Sequence, residues 1–203
     1  VYETTNILYL LMRAKVMTGS DEADQMLEEG FNFLAETVDT ALHPKSAPLS
    51  KAWLQNYANE TTTLRYLYLA HKLGIKPEAN EKKLLKALKA TYKGSMYQKA
   101  LKILVMALYE NKKVVARDLE SLIQHTVEQP SLGRYFDTDR ASDSWFMYKI
   151  PTQTAAIEAL DMTRPATSDT LQAMRIWLLQ SKRAQLWPNS RATVDALYAL
   201  LRP

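Results

Sequence analysis

Hydrophobic residues along this chain recur with the spacing of α-helices and not with the alternation of β-strands. In the segment 80–93, Leu84, Leu85 and Leu88 form one apolar stripe, and lysines occupy the other sides. Such a one-sided stripe is typical of a helix at a protein surface. The whole pattern predicts an all-α fold of about nine helices, each placed to within about two to four residues. The predicted helices are 4–17, 22–39, 61–73, 80–93, 96–110, 113–128, 151–162, 168–183 and 190–201.

Helices that are apolar nearly all round alternate with helices that are apolar on one side only. The segment 61–73 belongs to the first kind, which predicts burial, whereas 80–93 belongs to the second. The same contrast distinguishes 96–110 from 113–128. Alternation of this kind predicts helix pairs in two layers, because each pair must stack on its neighbours to bury its apolar face. Both an open α-solenoid and an α/α toroid, in which the inner helices ring an axis, satisfy this pattern.

The two-layer arrangement predicts which individual side chains are buried. Those expected to be nearly fully buried are Leu67, Leu104, Ile157 and Leu197. Those expected to be exposed are Lys86, Lys89 and Arg117.

Composition narrows the chemistry that the chain can perform. The 203 residues include no cysteine, so the chain has no thiol nucleophile, no thiolate metal ligand and no disulfide. The formal net charge is +4, and basic and acidic residues are interspersed, so no nucleic-acid-binding stripe is predicted. The longest purely apolar run, 7–12, is far shorter than the ~20 residues that span a bilayer, so direct membrane insertion is not expected.

Two long stretches, 41–58 and 129–150, are predicted to be connections, the first with at most one helical turn. A connection of this length in a compact domain is usually functional or packed by its own side chains. In the second stretch, Tyr135, Trp145 and Tyr148 are candidates for an interaction surface, because tyrosine and tryptophan are enriched at interfaces. Packing of the same aromatic residues against helix ends is the alternative.

The same stretch carries acidic residues in a pattern that only partly matches a calcium-binding loop. Asp137, Asp139 and Asp143 have suitable spacing, but Ser142 stands where the loop needs glycine, and Tyr148 stands where it needs glutamate. We therefore expect a solvated acidic loop there and no calcium site.

No catalytic constellation is recognisable in the sequence. The histidines His43, His71 and His125 lack the spacing of metal ligands. No Ser–His–acid arrangement and no strand-to-helix nucleophile turn can be identified. We therefore predict no catalytic residue, no cofactor-binding residue and no metal ligand, and expect that the protein is not an enzyme.

The last third of the chain resembles a known family. The residues that carry the resemblance are Ile176-Trp177-Leu178-Leu179-Gln180-Ser181-Lys182-Arg183, Gln185-x-Trp187, and the helix from Ser190 to Leu201. They are similar to the C-terminal helices of the thioester-type domain in alpha-2-macroglobulin-like proteins, closest to the large bacterial (Bacteroides-like) forms. Gly133-x-Tyr135-Phe136, Trp145 and Thr152–Ala159 are similar to the segment that precedes those helices. The resemblance is specific over 130–203 and architectural before that.

The resemblance implies an α/α toroid of six helix pairs within a large multidomain protein that traps proteases. The implied partners are other domains of the parent chain and the target proteases, and the implied location is extracytoplasmic, periplasmic or anchored at the outer membrane. A family thioester requires a cysteine, and this chain has none, so no reactive residue is carried over. On this basis we expect one helical domain, 1–203, that is a segment of a larger toroid.

Two rival functions remain open at this point. An enzyme on the same toroid, of the terpene-cyclase or prenyltransferase kind, is suggested faintly by Gln185-x-Trp187, but it needs an acidic or zinc site. The expected inner helices offer only Glu158 and Asp195 as scattered acids. A free-standing α-solenoid that binds other proteins is the second rival.

An incomplete toroid predicts an uncovered edge. A ring of six pairs contains twelve helices, more than the nine predicted here, and the chain begins abruptly at Val1, so the remaining helices are expected upstream. An open edge would expose apolar side chains that the parent protein covers. We therefore expect Ile7, Leu8 and Leu11 of the first helix to lie at such an edge.

Overall fold

A computed structural model describes residues 1–45, 47–91, 94–136, 145–164, 168–182 and 187–201, and for residues 145–148 it describes the backbone alone. Two compact units are distinguished by their internal contacts, unit 1 (Val1–Gly94) and unit 2 (Ser95–Pro203). The described residues are predominantly helical, which confirms the predicted all-α class. The expectation that 1–203 is one domain of a larger toroid stays a prediction.

The described residues of unit 1 form five helices. They are α1 (Tyr2–Thr18), α2 (Asp24–Leu42), α3 (Lys51–Asn59), α4 (Thr61–Lys72) and α5 (Ala79–Ala87). Gly19 ends α1 in the left-handed conformation, with φ of 68°, and its amide donates to the carbonyl of Lys15. The core of this unit centres on α4, in which every residue from Thr63 to Ala70 is buried.

Helix α3 is a correction to the prediction that 41–58 is a connection with at most one helical turn. It spans nine residues and begins at an N-cap, where the Ser50 hydroxyl accepts a hydrogen bond of 3.1 Å from the amide of Trp53. Only Ala58 and Asn59 of this helix are buried. The helix therefore has no continuous apolar stripe that a periodicity analysis could detect.

The described part of unit 2 contains five helices and one β-hairpin. They are α6 (Met96–Leu108), α7 (Lys112–Ile123), β1 (Thr126–Gln129), β2 (Gly133–Phe136), α8 (Trp145–Thr163), α9 (Asp169–Gln180) and α10 (Ser190–Leu201). The two strands pair antiparallel, with Thr126 opposite Phe136 and Gln129 opposite Gly133. Helix α6 packs against α7 and α8, and α10 packs against α8.

The hairpin and the start of α8 differ from the prediction. The helix predicted at 113–128 corresponds to α7, but α7 ends at Ile123 and β1 follows it. The next helix was expected to begin at Pro151, but α8 begins at Trp145 and includes the proline. All residues from Ile150 to Leu160 are buried, and we infer that this packing offsets the backbone hydrogen bond that a proline cannot donate.

Burial follows the predicted alternation of helices, with one exception. Leu67, Leu104 and Ile157 are buried, and Lys86, Lys89 and Arg117 are exposed, as expected. Leu197 was expected to be buried but is only half-buried. Since successive residues turn by about 100° along a helix, Leu197 lies opposite the buried face of α10. The buried residues of α10 are Ala192, Asp195, Ala196, Tyr198 and Ala199.

The first helix meets the expectation of an open edge only in part. Ile7 is exposed and Leu11 is half-buried, but Leu8 is buried against α2.

No helix among the described residues combines the length and the apolar character needed to cross a membrane.

Candidate functional site

The hairpin places one of the predicted surface residues, Tyr135, against α9. Its ring stacks on that of Trp177, with ring centroids 5.6 Å apart and an angle of 17° between the planes. Trp177 is buried, whereas Tyr135 is half-buried. Offset stacking of this kind adds about 0.5–1.5 kcal/mol to the burial of the rings themselves. Tyr135 is therefore held by packing, as the alternative interpretation of the aromatic residues predicts.

Gly133 makes this approach of the hairpin to α9 possible. It adopts the left-handed region, with φ of 83°, and a Cβ atom there would lie 2.3 Å from the carbonyl oxygen of Ala173. The same atom would lie 3.0 Å from the amide nitrogen of Trp177. Both obstacles belong to the helix backbone, which cannot move aside as a flexible side chain can. Only glycine fits this position.

Gln153 of α8 connects the hairpin to α9 through hydrogen bonds. Its side-chain nitrogen Nε2 donates to the carbonyl of Arg134 at 2.9 Å and to the carbonyl of Met174 at 3.2 Å. The side chain is buried, and it provides the Arg134 carbonyl with a donor. The Met174 carbonyl lies within α9, where it also takes part in the backbone hydrogen bonds of the helix. One amide side chain thus joins three elements of unit 2.

Two lysines lie over the tryptophans of this region. Lys149 Nζ is 5.0 Å from the ring centroid of Trp177, and Lys182 Nζ is 5.4 Å from that of Trp187. Trp187 also donates from Nε1 to the carbonyl of Leu178 at 3.3 Å.

We call the set Gly133, Tyr135, Gln153, Trp177 and Trp187 the aromatic cluster. The sequence prediction had singled out only Tyr135 from this set as a site residue.

For the other two predicted surface residues, Trp145 and Tyr148, only the backbone is described, and it belongs to the first turns of α8. The acidic residues Asp137, Asp139 and Asp143 lie outside the described part of the chain, as does Gln185. An interaction surface formed by Tyr135, Trp145 and Tyr148 therefore stays a prediction.

The scattered acids of unit 2 are buried within helices. Glu158 lies on α8 and Asp195 on α10, and both are 1% exposed. Arg191 Nε is 4.0 Å from Asp195 Oδ2, which pairs that carboxylate with a cation of its own helix. Within the described ranges, no three histidine, aspartate or glutamate side chains are grouped so that they could hold a metal ion.

Two of the three histidines contact residues four positions earlier in the chain. His43 Nδ1 lies 3.0 Å from the Asp39 carboxylate, and His125 Nδ1 lies 2.7 Å from the carbonyl of Ser121. His71, at the end of α4, is half-buried.

Unit 2 also contains a buried ion pair between α6 and α7. Lys102 Nζ lies 2.9 Å from Asp118 Oδ2, and Arg117 Nε lies 2.6 Å from Asp118 Oδ1. Burial would raise the pKa of Asp118, but hydrogen bonds from Arg117 and Lys102 outweigh it and hold the pKa below its ordinary value. Burial lowers the pKa of Lys102, although Asp118 opposes this shift. The pair of Lys102 and Asp118 joins α6 to α7. Because the Asp118 carboxylate is bonded to two cations, we assign these residues a structural role and not that of a general base.

Comparison with known proteins gave no match, either to a protein-family model or to a curated protein.

Proposed function

We propose that this chain is a non-catalytic helical domain of a large bacterial alpha-2-macroglobulin-like protein, which acts by enclosing proteases. The observation that carries the proposal is the aromatic cluster of unit 2. Gly133, Tyr135, Gln153, Trp177 and Trp187 are all within or beside the segments on which the sequence resemblance rests, and each of the other four residues contacts α9, the helix that contains Trp177.

The contacts of the cluster favour a structural role for these residues. Gly133 accommodates the backbone of α9, and Gln153 donates to two backbone carbonyls. Neither residue offers a nucleophile or a general base to a substrate. The residues that carry the resemblance therefore make structural contacts, as the proposed non-catalytic role requires.

The proposed architecture is an α/α toroid built from helix pairs. Its support is the burial of individual helices. In α4, α6 and α8 most residues are buried, whereas α5 and α7 bury one face and expose lysines on the other. In a toroid, α4, α6 and α8 would belong to the inner ring, and α5 and α7 to the outer one.

The proposed mode of inhibition is steric. Because the chain has no cysteine, it cannot supply the thioester through which some relatives capture a protease covalently. It would contribute to the enclosure as a helical domain that changes position when the parent protein rearranges after a cut. The partners would be neighbouring domains and the target protease, at an extracytoplasmic location.

Electron microscopy of the natural full-length protein that contains these residues tests the proposal. Particles would be imaged before and after a limited cut by an added protease. We expect the cut particles to contract and to contain density for the enclosed protease. Cut particles that keep their dimensions and release the protease would contradict the proposal.

A further inference from the structure

Helix α2 concentrates negative charge in a protein whose net charge is positive. Residues 21–42 include seven acidic residues and no lysine or arginine, although the whole chain carries a formal net charge of +4. Two of these acids have partners, since Asp24 is paired with Lys15 of α1 and the Asp39 carboxylate lies 3.0 Å from His43 Nδ1. The remaining charge of this region faces solvent, because Glu22, Glu28 and Glu29 are exposed.

An apolar groove lies between α1 and α2 beside these acids. Its volume is about 550 Å³, and its apolar lining includes Ile7, Leu8 and Met26. Ile7 is 52% exposed and Met26 is 57% exposed, whereas Leu8 is buried at the base. Phe33, about two turns further along α2, is 47% exposed. Large apolar side chains that lie together and are exposed to solvent are typical of an interaction surface.

The groove owes its depth to a glycine. A Cβ atom on Gly30 would lie 2.6 Å from Cδ2 of Leu8, so only a residue without a side chain lets Leu8 pack against the α2 backbone. Ile7 and Met26 remain on either side of this contact as the exposed walls. The floor of the groove is thus built by a close approach of two long helices, both of which belong to unit 1.

The charged residues at the rim of the groove indicate the sign of the charge that a partner should carry. The charged residues that line it are Glu3, Glu22 and Glu29, and among the described lining residues none is basic. Apolar side chains flanked by carboxylates complement a segment that presents apolar side chains flanked by lysine or arginine. The same charge repels an anionic membrane surface or a nucleic acid.

We infer that the α1–α2 groove is a docking site for a basic amphipathic helical segment of a partner protein. The apolar face of that segment would cover Ile7, Met26 and Phe33, and its cations would pair with Glu22 and Glu29. The groove lies in unit 1, whereas the proposed function rests on unit 2. The two proposals can therefore fail independently.

Fluorescence anisotropy with a defined peptide tests the inference. The probe is a labelled peptide of about 18 residues, long enough to fold when bound, with leucines along one helical face and lysines elsewhere. A second peptide has glutamate in place of every lysine. We expect the lysine peptide to bind the 203-residue chain more weakly as salt is added, and the glutamate peptide not to bind.

Matched variants locate the binding. Ile7→Ser combined with Met26→Ser should weaken binding by at least about tenfold, because both side chains lose apolar contact with the peptide. Ile176→Ser combined with Leu179→Ser is the control, since these residues are 47% and 55% exposed on α9. The control should bind like the unmodified chain, and equal effects of the two double variants would overturn the inference.

Charge-reversal variants distinguish binding in the groove from attraction to the overall negative charge of α2. Glu29→Lys changes a lining residue, and Glu28→Lys makes the same change one position away, outside the lining. Glu29→Lys should weaken binding several-fold more than Glu28→Lys does. Equal losses of peptide binding in the two variants would mean that the peptide is attracted by the overall charge of α2 and does not occupy the groove. That result would overturn the inference. Sedimentation that shows a dimer dissociated by Met26→Lys would overturn it as well, in favour of a second copy.

Discussion

A Cβ atom on Gly133 would lie 2.3 Å from the carbonyl oxygen of Ala173, so the hairpin and α9 meet through backbone alone at this point. The contact joins residues forty positions apart and determines where Tyr135 meets Trp177. Unit 2 is therefore organised by a close backbone approach as much as by the burial of apolar side chains.

Substituting Gly133 should destabilise unit 2 strongly. In Gly133→Ala, the new methyl group would collide with the α9 backbone and the residue would be held at φ of 83°. We expect a loss of about 2–4 kcal/mol in the free energy of unfolding, measured by urea titration of the helical circular dichroism. Gly19→Ala is the matched control, because Gly19 has φ of 68° but nothing within 4 Å of an added Cβ atom. It should lose only about 1 kcal/mol, and equal losses would show that the contact with α9 is unimportant.

Gln153 should be needed for stability because of the carbonyls that it serves. Gln153→Leu has a similar volume but removes the donor of the Arg134 carbonyl, and the second donor of the Met174 carbonyl within α9. A buried unsatisfied group costs about 1–3 kcal/mol, so a loss of at least about 1 kcal/mol is expected in the same titration. Gln180→Leu, at an exposed position of α9, should change stability by less than about 0.5 kcal/mol. A Gln153→Leu protein as stable as the control would contradict the assigned hydrogen bonds.

The ion pair between Lys102 and Asp118 should make stability depend on pH. Because the pKa of Asp118 is lower in the folded protein than its ordinary value of 3.8, its contribution is complete above that value. The contribution is lost as the pH falls through the folded pKa. Lys102 has the opposite effect on stability at neutral pH, since its lowered pKa means that burying the ammonium group costs stability until higher pH removes the charge.

Asp118→Asn tests this account of the pair. The variant leaves the buried Lys102 ammonium without a counter-charge, so we expect a loss of about 3–5 kcal/mol at pH 7. Unfolding titrations between pH 2 and pH 7 should also show a smaller loss on acidification than in the unmodified protein. Asp24→Asn, which removes an exposed partner of Lys15, should cost no more than about 1 kcal/mol. An Asp118→Asn protein with an unchanged acid profile would show that another carboxylate dominates.

The helices with an apolar stripe could be predicted from the sequence, because burial imposes a period that the residues display. Helix α4 is buried on most sides and α7 on one, and both were identified on that ground. Helix α3 escaped detection because it buries only Ala58 and Asn59, and because Pro44 and Pro48 precede it. A short helix stabilised by its N-cap leaves too weak a periodic signal.

The hairpin and the aromatic cluster could not be predicted in the same way, because their causes are distant in the sequence. Val127 continues the apolar spacing of α7, four residues after Ile123, so the pattern extended the helix into β1. The hairpin packs on α9 at Gly133 and accepts a hydrogen bond from Gln153, and both contacts are distant in the sequence. Of the cluster, only Tyr135 could be chosen in advance, since an aromatic residue in a long connection is noticeable by itself.

The central claim, that the parent protein traps proteases sterically, is tested most directly by comparing inhibition toward two substrates. The natural full-length protein would be incubated with a protease, and activity would be measured on a small chromogenic peptide and on a large protein substrate. Steric enclosure predicts that cleavage of the large substrate is lost while cleavage of the peptide is retained. Equal inhibition of both substrates, or inhibition of neither, would contradict the account.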